Sequence, residues 1–252
     1  EAGRSAVIRG NRIYGTGYIG IWPLSDSLLS GNHVENTCLV LDDCGAIYTS
    51  GQNNNSTIEN NTVIHVLGGL PGKPANLASR SQGIYLDNHS SGVVVRGNTV
   101  VNADNGIQLH DAANNRIENN TLYGNRRYQI WLQEQSQRLD TVGDMHDNLV
   151  LDNRLFSTLA TTVIGQDTEI SRDNMHRFAS YDRNLYFTLL APSISSEVWP
   201  NGGATYTLPE WQAAVTSTNL PRNLDPTAGE VNSTSIGYAA FKTIGANILP
   251  NG

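Results

Sequence analysis

The chain is poor in several residue types, and each shortage narrows what it can be. Two cysteines in 252 residues, Cys38 and Cys44, are too few for a disulfide framework and too few for a structural zinc site. They read as core residues or as one small-loop disulfide. Only two lysines occur, Lys73 and Lys242, so the positive charge is mostly arginine. Asp and Glu outnumber Lys and Arg by 23 to 16, and the net charge of −7 argues against nucleic acid and anionic membranes as partners. A polyanionic ligand would need local basic residues, because the global field repels it. No apolar run approaches the roughly 18 residues of a membrane span. Neither coiled-coil heptads nor the leucine scaffold of leucine-rich repeats is present.

What the chain has is repetition. The phrase Gly83-Ile84-Tyr85-Leu86-Asp87 returns as Gly45-Ala46-Ile47-Tyr48-Thr49, as Gly106-Ile107-Gln108-Leu109-His110 and as Gln129-Ile130-Trp131-Leu132-Gln133, with a degenerate copy at Gly20-Ile21-Trp22. A second phrase, two small polar residues and then an apolar run, alternates with it at Gly10-Asn11, Gly31-Asn32, Asn60-Asn61, Gly97-Asn98, Asn119-Asn120 and Asp152-Asn153. A period of about 22 residues, filled by three short β-rich runs and three turns, predicts an all-β right-handed parallel β-helix. Its rungs are expected over residues 1–165, with 166–252 supplying the final rungs, an irregular cap and a side-packing tail. The opening Glu1-Ala2-Gly3 reads as a processed or trimmed start, which leaves room for earlier rungs and an amino-terminal cap before it. Thr207-Leu208-Pro209-Glu210 reads as a capping box opening a short helix over 211–215.

Two excursions break the rhythm. His65 to Gln82 is rich in Gly and Pro and carries Lys73 and Arg80; Ser136 to Asn148 carries Asp140, Asp144, His146 and Asp147. The second could hold calcium, though its spacing matches no calcium loop and solvated turn carboxylates explain it better. No cofactor is otherwise implied.

The asparagines suit turns, because Asn tolerates left-handed backbone and bonds neighbouring peptide groups. Asn32, Asn61, Asn98, Asn120 and Asn153 are expected to stack as an amide ladder, which accounts for most of the Asn-x-Ser/Thr patterns without glycosylation. Strand alternation sends the Ile and Leu of the first phrase inward and the residues between them outward. The outward columns read Trp22, Tyr48, Tyr85, Gln108, Trp131, then Ser50, Asp87, His110, Gln133, with Asn88, Asp111 and Glu134 at the turn. Aromatic faces beside amides, carboxylates and an imidazole predict an open carbohydrate groove.

The pair Asp43-Cys44-Gly45-Ala46-Ile47-Tyr48 and Gly83-Ile84-Tyr85-Leu86-Asp87 resembles secreted bacterial right-handed β-helix (pectate-lyase-like) proteins, some of which are glycoside hydrolases. Asn184-Leu185-Tyr186 and Leu208-Pro209-Glu210-Trp211-Gln212 resemble the ends of such chains. The family often has a second acid after Leu-Asp, where this chain has Asn88. The resemblance implies a secreted or cell-surface glycosidase acting on a polysaccharide or oligosaccharide, with Asp43 and Asp87 as its acid/base pair. Such a pair needs one protonated and one ionised carboxyl about 5–9.5 Å apart. His110 would tune Asp87 or shuttle its proton. Trp22, Tyr48, Tyr85, His89, Gln108, Asp111, Trp131, Lys73 and Arg80 are the expected substrate contacts. Two other readings compete. A polysaccharide lyase or uronate epimerase would draw its base from Tyr85, His89 or His110 and its cation from Lys73 or Arg80. A non-catalytic tailspike or adhesin would only bind glycan.

Overall fold

The computed structural model describes residues 3–51, 53–68, 80–135, 145–158, 163–170, 175–189, 193–216 and 234–235. The short β-rich runs become strands in three parallel sheets. The first sheet stacks seven strands from Val7–Arg9 to Ala179–Asp182, and the second runs from Arg12–Tyr14 through Leu185–Thr188 to Thr234–Ser235. The third runs from Cys44–Thr49 to Ser195–Trp199 and ends in one antiparallel strand, Gly202–Tyr206. The chain visits the sheets in turn and pairs each strand with its counterpart one circuit later. This is a right-handed parallel β-helix, the hand being that which twisted parallel strands impose.

Each sheet aligns one inward column. In the first it reads Ile8, Leu29, Ile58, Val95, Ile117, Val150 and Tyr181. The second reads Ile13, Val34, Val63, Val100, Leu122, Leu155 and Tyr186. Ile47, Ile84, Ile107, Ile130 and Ile164 line the third. From Leu29, Val34 and Ile47 onward these side chains are essentially sealed from solvent, each contributing about 1.5–3 kcal/mol by burial. The column closes on aromatics: Trp211, 1% exposed, packs edge-on against Tyr181 at 5.3 Å. The helix that carries it, Leu208–Thr216, begins at the expected cap, where the Thr207 N–H and O–H donate to the Glu210 carboxylate at 2.8 and 2.7 Å.

The second phrase explains itself in the turns. The residue before each ladder asparagine, Gly10, Gly31, Asn60, Gly97, Asn119, Asp152 and finally Arg183, has φ of 53–65°, the left-handed region that Gly, Asn and Asp tolerate best. The asparagines then stack. Asn11, Asn32, Asn61, Asn98, Asn120 and Asn153 each donate both backbone N–H and side-chain Nδ2 to the next Oδ1 at 2.9–3.1 Å, ending on Asn184. The expected ladder is thus longer by one coil at each end.

Glycine heads the first phrase for a different reason. A Cβ on Gly83 would stand 2.2 Å from Val100 Cγ1 and 2.6 Å from the Gly106 carbonyl, because the third sheet there crowds the second. Gly83→Ala is expected to cost at least about 1–3 kcal/mol through overpacking. At roughly 2–4 °C per kcal/mol for a chain of this size, thermal denaturation should register the loss; an unchanged melting temperature would refute the crowding.

Candidate functional site

The third sheet positions the chemistry. Its register sets Tyr48, Tyr85, Gln108 and Trp131 side by side in adjacent coils, with Trp22 next to the Ile21–Ile47 bridge. One residue pair further on, Asp87 follows Leu86 and stands beside His110, which pairs with Gln133. The side chains point outward as expected, but the strip is not open. Tyr85 is 3% exposed, Gln108 1% and Trp131 5%, packed among neighbouring rings, Arg127 and Gln133. Tyr48 meets Trp22 and Tyr85 edge-on, each at 5.3 Å, so these rings shield one another's faces.

What remains open is a cleft of about 120 Å³ lined by Asp43, Arg80, Tyr85, Asp87, His110 and Trp131, together with neighbouring amides. Asp87 forms its floor. Its Oδ2 accepts from the Tyr48 hydroxyl at 2.7 Å, and its Oδ1 accepts from His110 Nδ1 at 2.7 Å and from the Asn88 N–H at 2.9 Å. Burial alone would raise the Asp87 pKa, but the bonds from His110 and Tyr48 outweigh it and hold the carboxyl below its ordinary range. Burial would lower His110, yet the bond and charge of Asp87 outweigh it and hold the imidazole above its ordinary range. Each thus favours the charged form of the other, the arrangement of an ion pair. His110 Nε2 is buried 3.7 Å from Asp111 Oδ2, whose charge also favours the imidazolium.

Asp43 stands at the cleft mouth in the left-handed conformation, φ 55°, just before its strand. The disulfide between Cys38 and Cys44 closes the turn that holds it. The Tyr18 hydroxyl donates to the Asp43 carbonyl at 3.0 Å, and the neighbouring Asp42 accepts from the Arg80 N–H. The Tyr85 hydroxyl, 3.3 Å from His110 Nδ1, donates to Asp43 Oδ1 at 3.5 Å. Through this bridge the Asp43 and Asp87 carboxyls lie no farther apart than roughly 9.5 Å, the upper limit for a glycosidase pair. Burial first, then the charges of Asp87 and Asp43, raise the Tyr85 pKa, so its hydroxyl stays protonated.

The other expected contacts are arranged differently. Trp22, Tyr48, His89 and Asp111 do not line the cleft. Asp111 is buried at 3% exposure and accepts from the Gln135 N–H at 2.9 Å. Burial and the nearby Asp87 charge raise its pKa. Lys73 lies outside the described residues. Gln133, expected in the outward column, lines the cleft; sequence reasoning missed Gln82 and Gln135 there, and it missed Asp167, which pairs in register with Gln133. Continuing the outward parity one coil beyond Gln133 would have found Asp167.

The ion pair sets a pH window. The contribution of Asp87 is present above its unfolded value of about 3.9 and fades as pH falls through its lower folded value. That of His110 is complete below about 6.5 and fades as pH rises through its higher folded value. Stability should therefore peak between about pH 4 and 6.5. His110→Gln should flatten the alkaline limb in urea titrations; an unaltered limb would show that the pair contributes nothing.

Residues 1–121 match the family model described as right handed beta helix region, and residues 73–175 match that described as periplasmic copper-binding protein (NosD). Both agree with the fold, whose class is the right-handed β-helix. No curated protein and no solved structure matches the chain. Copper favours thiolate, thioether and imidazole donors. Here both thiols are consumed in the disulfide, and Met145 and Met175 are sealed in the core at 1% exposure. Among the described residues no three His, Cys, Asp or Glu side chains converge as a metal site. That donor set does not fit copper. Of the acidic excursion weighed for calcium, Asp140 and Asp144 lie outside the described residues, while His146 and Asp147 bond each other at 2.8 Å. No helix among the described residues is long and apolar enough to cross a membrane.

Proposed function

We propose that this chain is a secreted or cell-surface carbohydrate-active enzyme that hydrolyses a glycosidic bond in its cleft. The observation that carries the reading is Asp87, held ionised by two 2.7 Å hydrogen bonds on the floor of a cleft and linked through the Tyr85 hydroxyl to Asp43. Hydrolysis needs an ionised carboxylate to take a proton from water, or to attack the sugar, and a second carboxyl to protonate the leaving oxygen. Asp87 suits the first role and Asp43, at the mouth, the second. His110 and Tyr48 are positioning residues that keep Asp87 charged. A disulfide favours an oxidising compartment.

Elimination is the weaker reading, because a lyase needs a base. The tyrosine in the cleft is pushed towards its neutral form and the histidine towards its protonated form, so neither accepts a proton readily. The test is a screen against neutral and uronate polysaccharides, scored for new reducing ends and for the ultraviolet absorbance of unsaturated sugar. Reducing ends without absorbance are expected, and Asp43→Asn should lower turnover by about 10²–10⁴. Both signals together would replace hydrolysis by elimination, and silence on both would overturn the enzyme reading.

A further inference from the structure

Beyond Gln133 the outward face of the third sheet carries side chains that hydrolysis at Asp87 leaves idle. Asp167 lies three coils from Asp87, about 14 Å at roughly 4.8 Å per coil, too far to be its catalytic partner. Its Oδ1 is buried with no hydrogen-bond partner among the described residues, and the Trp131 indole N–H acts on the same carboxyl. Gln108 donates Nε2 to Gln133 at 3.0 Å but leaves its buried Oε1 without a donor. Over them lies Arg127, its guanidinium carbon 4.8 Å from the Trp131 ring centre and 5.8 Å from that of Tyr128. Gly165 makes room for this arrangement: a Cβ there would meet the Tyr128 ring at 2.6–2.7 Å.

Native structures seldom bury polar atoms without partners, and such atoms gathered at one place mark an absent ligand or water. Arg127 sharpens the point. It forms no ion pair among the described residues, whereas its neighbour Arg126 bonds Asp104 at 3.4 Å. In a chain of net charge −7, a guanidinium without an ion pair on two aromatic faces is a local exception to the global field. Arg80 lines the neighbouring cleft, which reaches this place through Trp131.

We propose that Arg127, Trp131 Nε1 and Asp167 form a distal subsite for the carboxylate of an acidic sugar, so that the substrate is a uronate-containing glycan lying across successive coils. This rests on the glycan-cleaving reading above. Arg127 supplies charge and a planar fork, and a protonated Asp167, flanked by the Trp131 indole, supplies a further donor. Burial, opposed by the Trp131 indole, Arg127 and His110 and aided by Glu169, raises the Asp167 pKa to about 7. The other carboxylates nearby are turned elsewhere, Glu134 towards the Thr168 hydroxyl and Glu197 towards the Tyr206 hydroxyl. As pH rises through about 7, Asp167 becomes an anion beside Arg127 and competes with the ligand.

The test uses the full chain bearing Asp87→Asn, so that binding is read without turnover. Calorimetry compares oligosaccharides of polygalacturonate, alginate and hyaluronate with the same sugars after carboxyl reduction. At least one acidic sugar is expected to bind about tenfold tighter than its reduced form at pH 6. Arg127→Gln should abolish that preference and spare the neutral sugar, while Arg126→Gln should change neither. Asp167→Asn should retain the acidic preference and remove its decline between pH 6 and 8. No preference for any acidic sugar, or a preference that survives Arg127→Gln, would overturn the subsite. Preference without any cleavage would keep the subsite and defeat hydrolysis; cleavage of neutral glycan without preference would do the reverse.

Discussion

Asp87→Asn is expected to lower turnover by at least about 10³-fold while leaving the fold in place. The amide keeps an oxygen where Oδ1 accepts from His110 and the Asn88 N–H, and its Nδ2 can donate to the Tyr48 oxygen in place of the bond that Oδ2 accepts. Geometry is thus retained and charge is lost, so the melting temperature should fall by only several degrees. A second readout separates catalysis from structure. With the carboxylate gone, the bond and charge that do most to raise His110 are lost while burial and the smaller influences of Asp111 and Gln135 remain, so its pKa should fall, which imidazole NMR titration would follow. Activity retained in the variant would remove Asp87 from the mechanism. A His110 pKa that did not fall would show that the ion pair is not what holds the histidine charged.

The largest stability effect should come from the ladder. Asn98 is 1% exposed, donates to Asn120 Oδ1 and the Ile58 carbonyl, and accepts from both the backbone and side chain of Asn61. Asn98→Leu deletes both donors and the acceptor at once and strands buried partners on either side, at about 1–3 kcal/mol for each unsatisfied group. A loss of more than about 4 kcal/mol, or a failure to accumulate folded protein, is expected. Denaturant unfolding would measure it. A loss below about 1 kcal/mol would mean that water replaces the ladder at little cost.

Much of this architecture was legible because a solenoid repeats its rules. Two-residue alternation within the phrase placed Ile84 inward and Tyr85 outward, and the repeat length placed Tyr85 between Tyr48 and Gln108, the pairings found. Alternation says which side of a sheet a residue leaves from, but not what folds over it. Tyr85 and Trp131 therefore looked available to solvent, although neighbouring rings and Arg127 cover them. Asp167 escaped notice because Gly165 stands where the phrase would have an aromatic, and that break in the pattern is what admits Tyr128. Asn184 joined the ladder unseen because Arg183, a residue seldom left-handed, takes the place held elsewhere by Gly, Asn or Asp. Asp43 was named from a resemblance, but its place at the cleft mouth depends on a turn conformation that strand patterns do not encode.

The asparagine column also has a mechanical meaning. Its bonds run along the long axis and link only adjacent coils, so a pull on the chain ends loads them one after another and not all together. Under force the molecule should come apart like an unravelling spring, one coil per event. Each event would release the 21–37 residues that separate successive ladder asparagines, or roughly 70–130 Å of contour at the reach of an extended chain. A single-molecule extension trace should show that sawtooth. The polarity of the column adds a direction: each amide donates forward to the next Oδ1 and back to a carbonyl of the preceding coil, so a coil lost at the carboxyl-terminal end strands two donors, and one lost at the other end strands an acceptor and one donor.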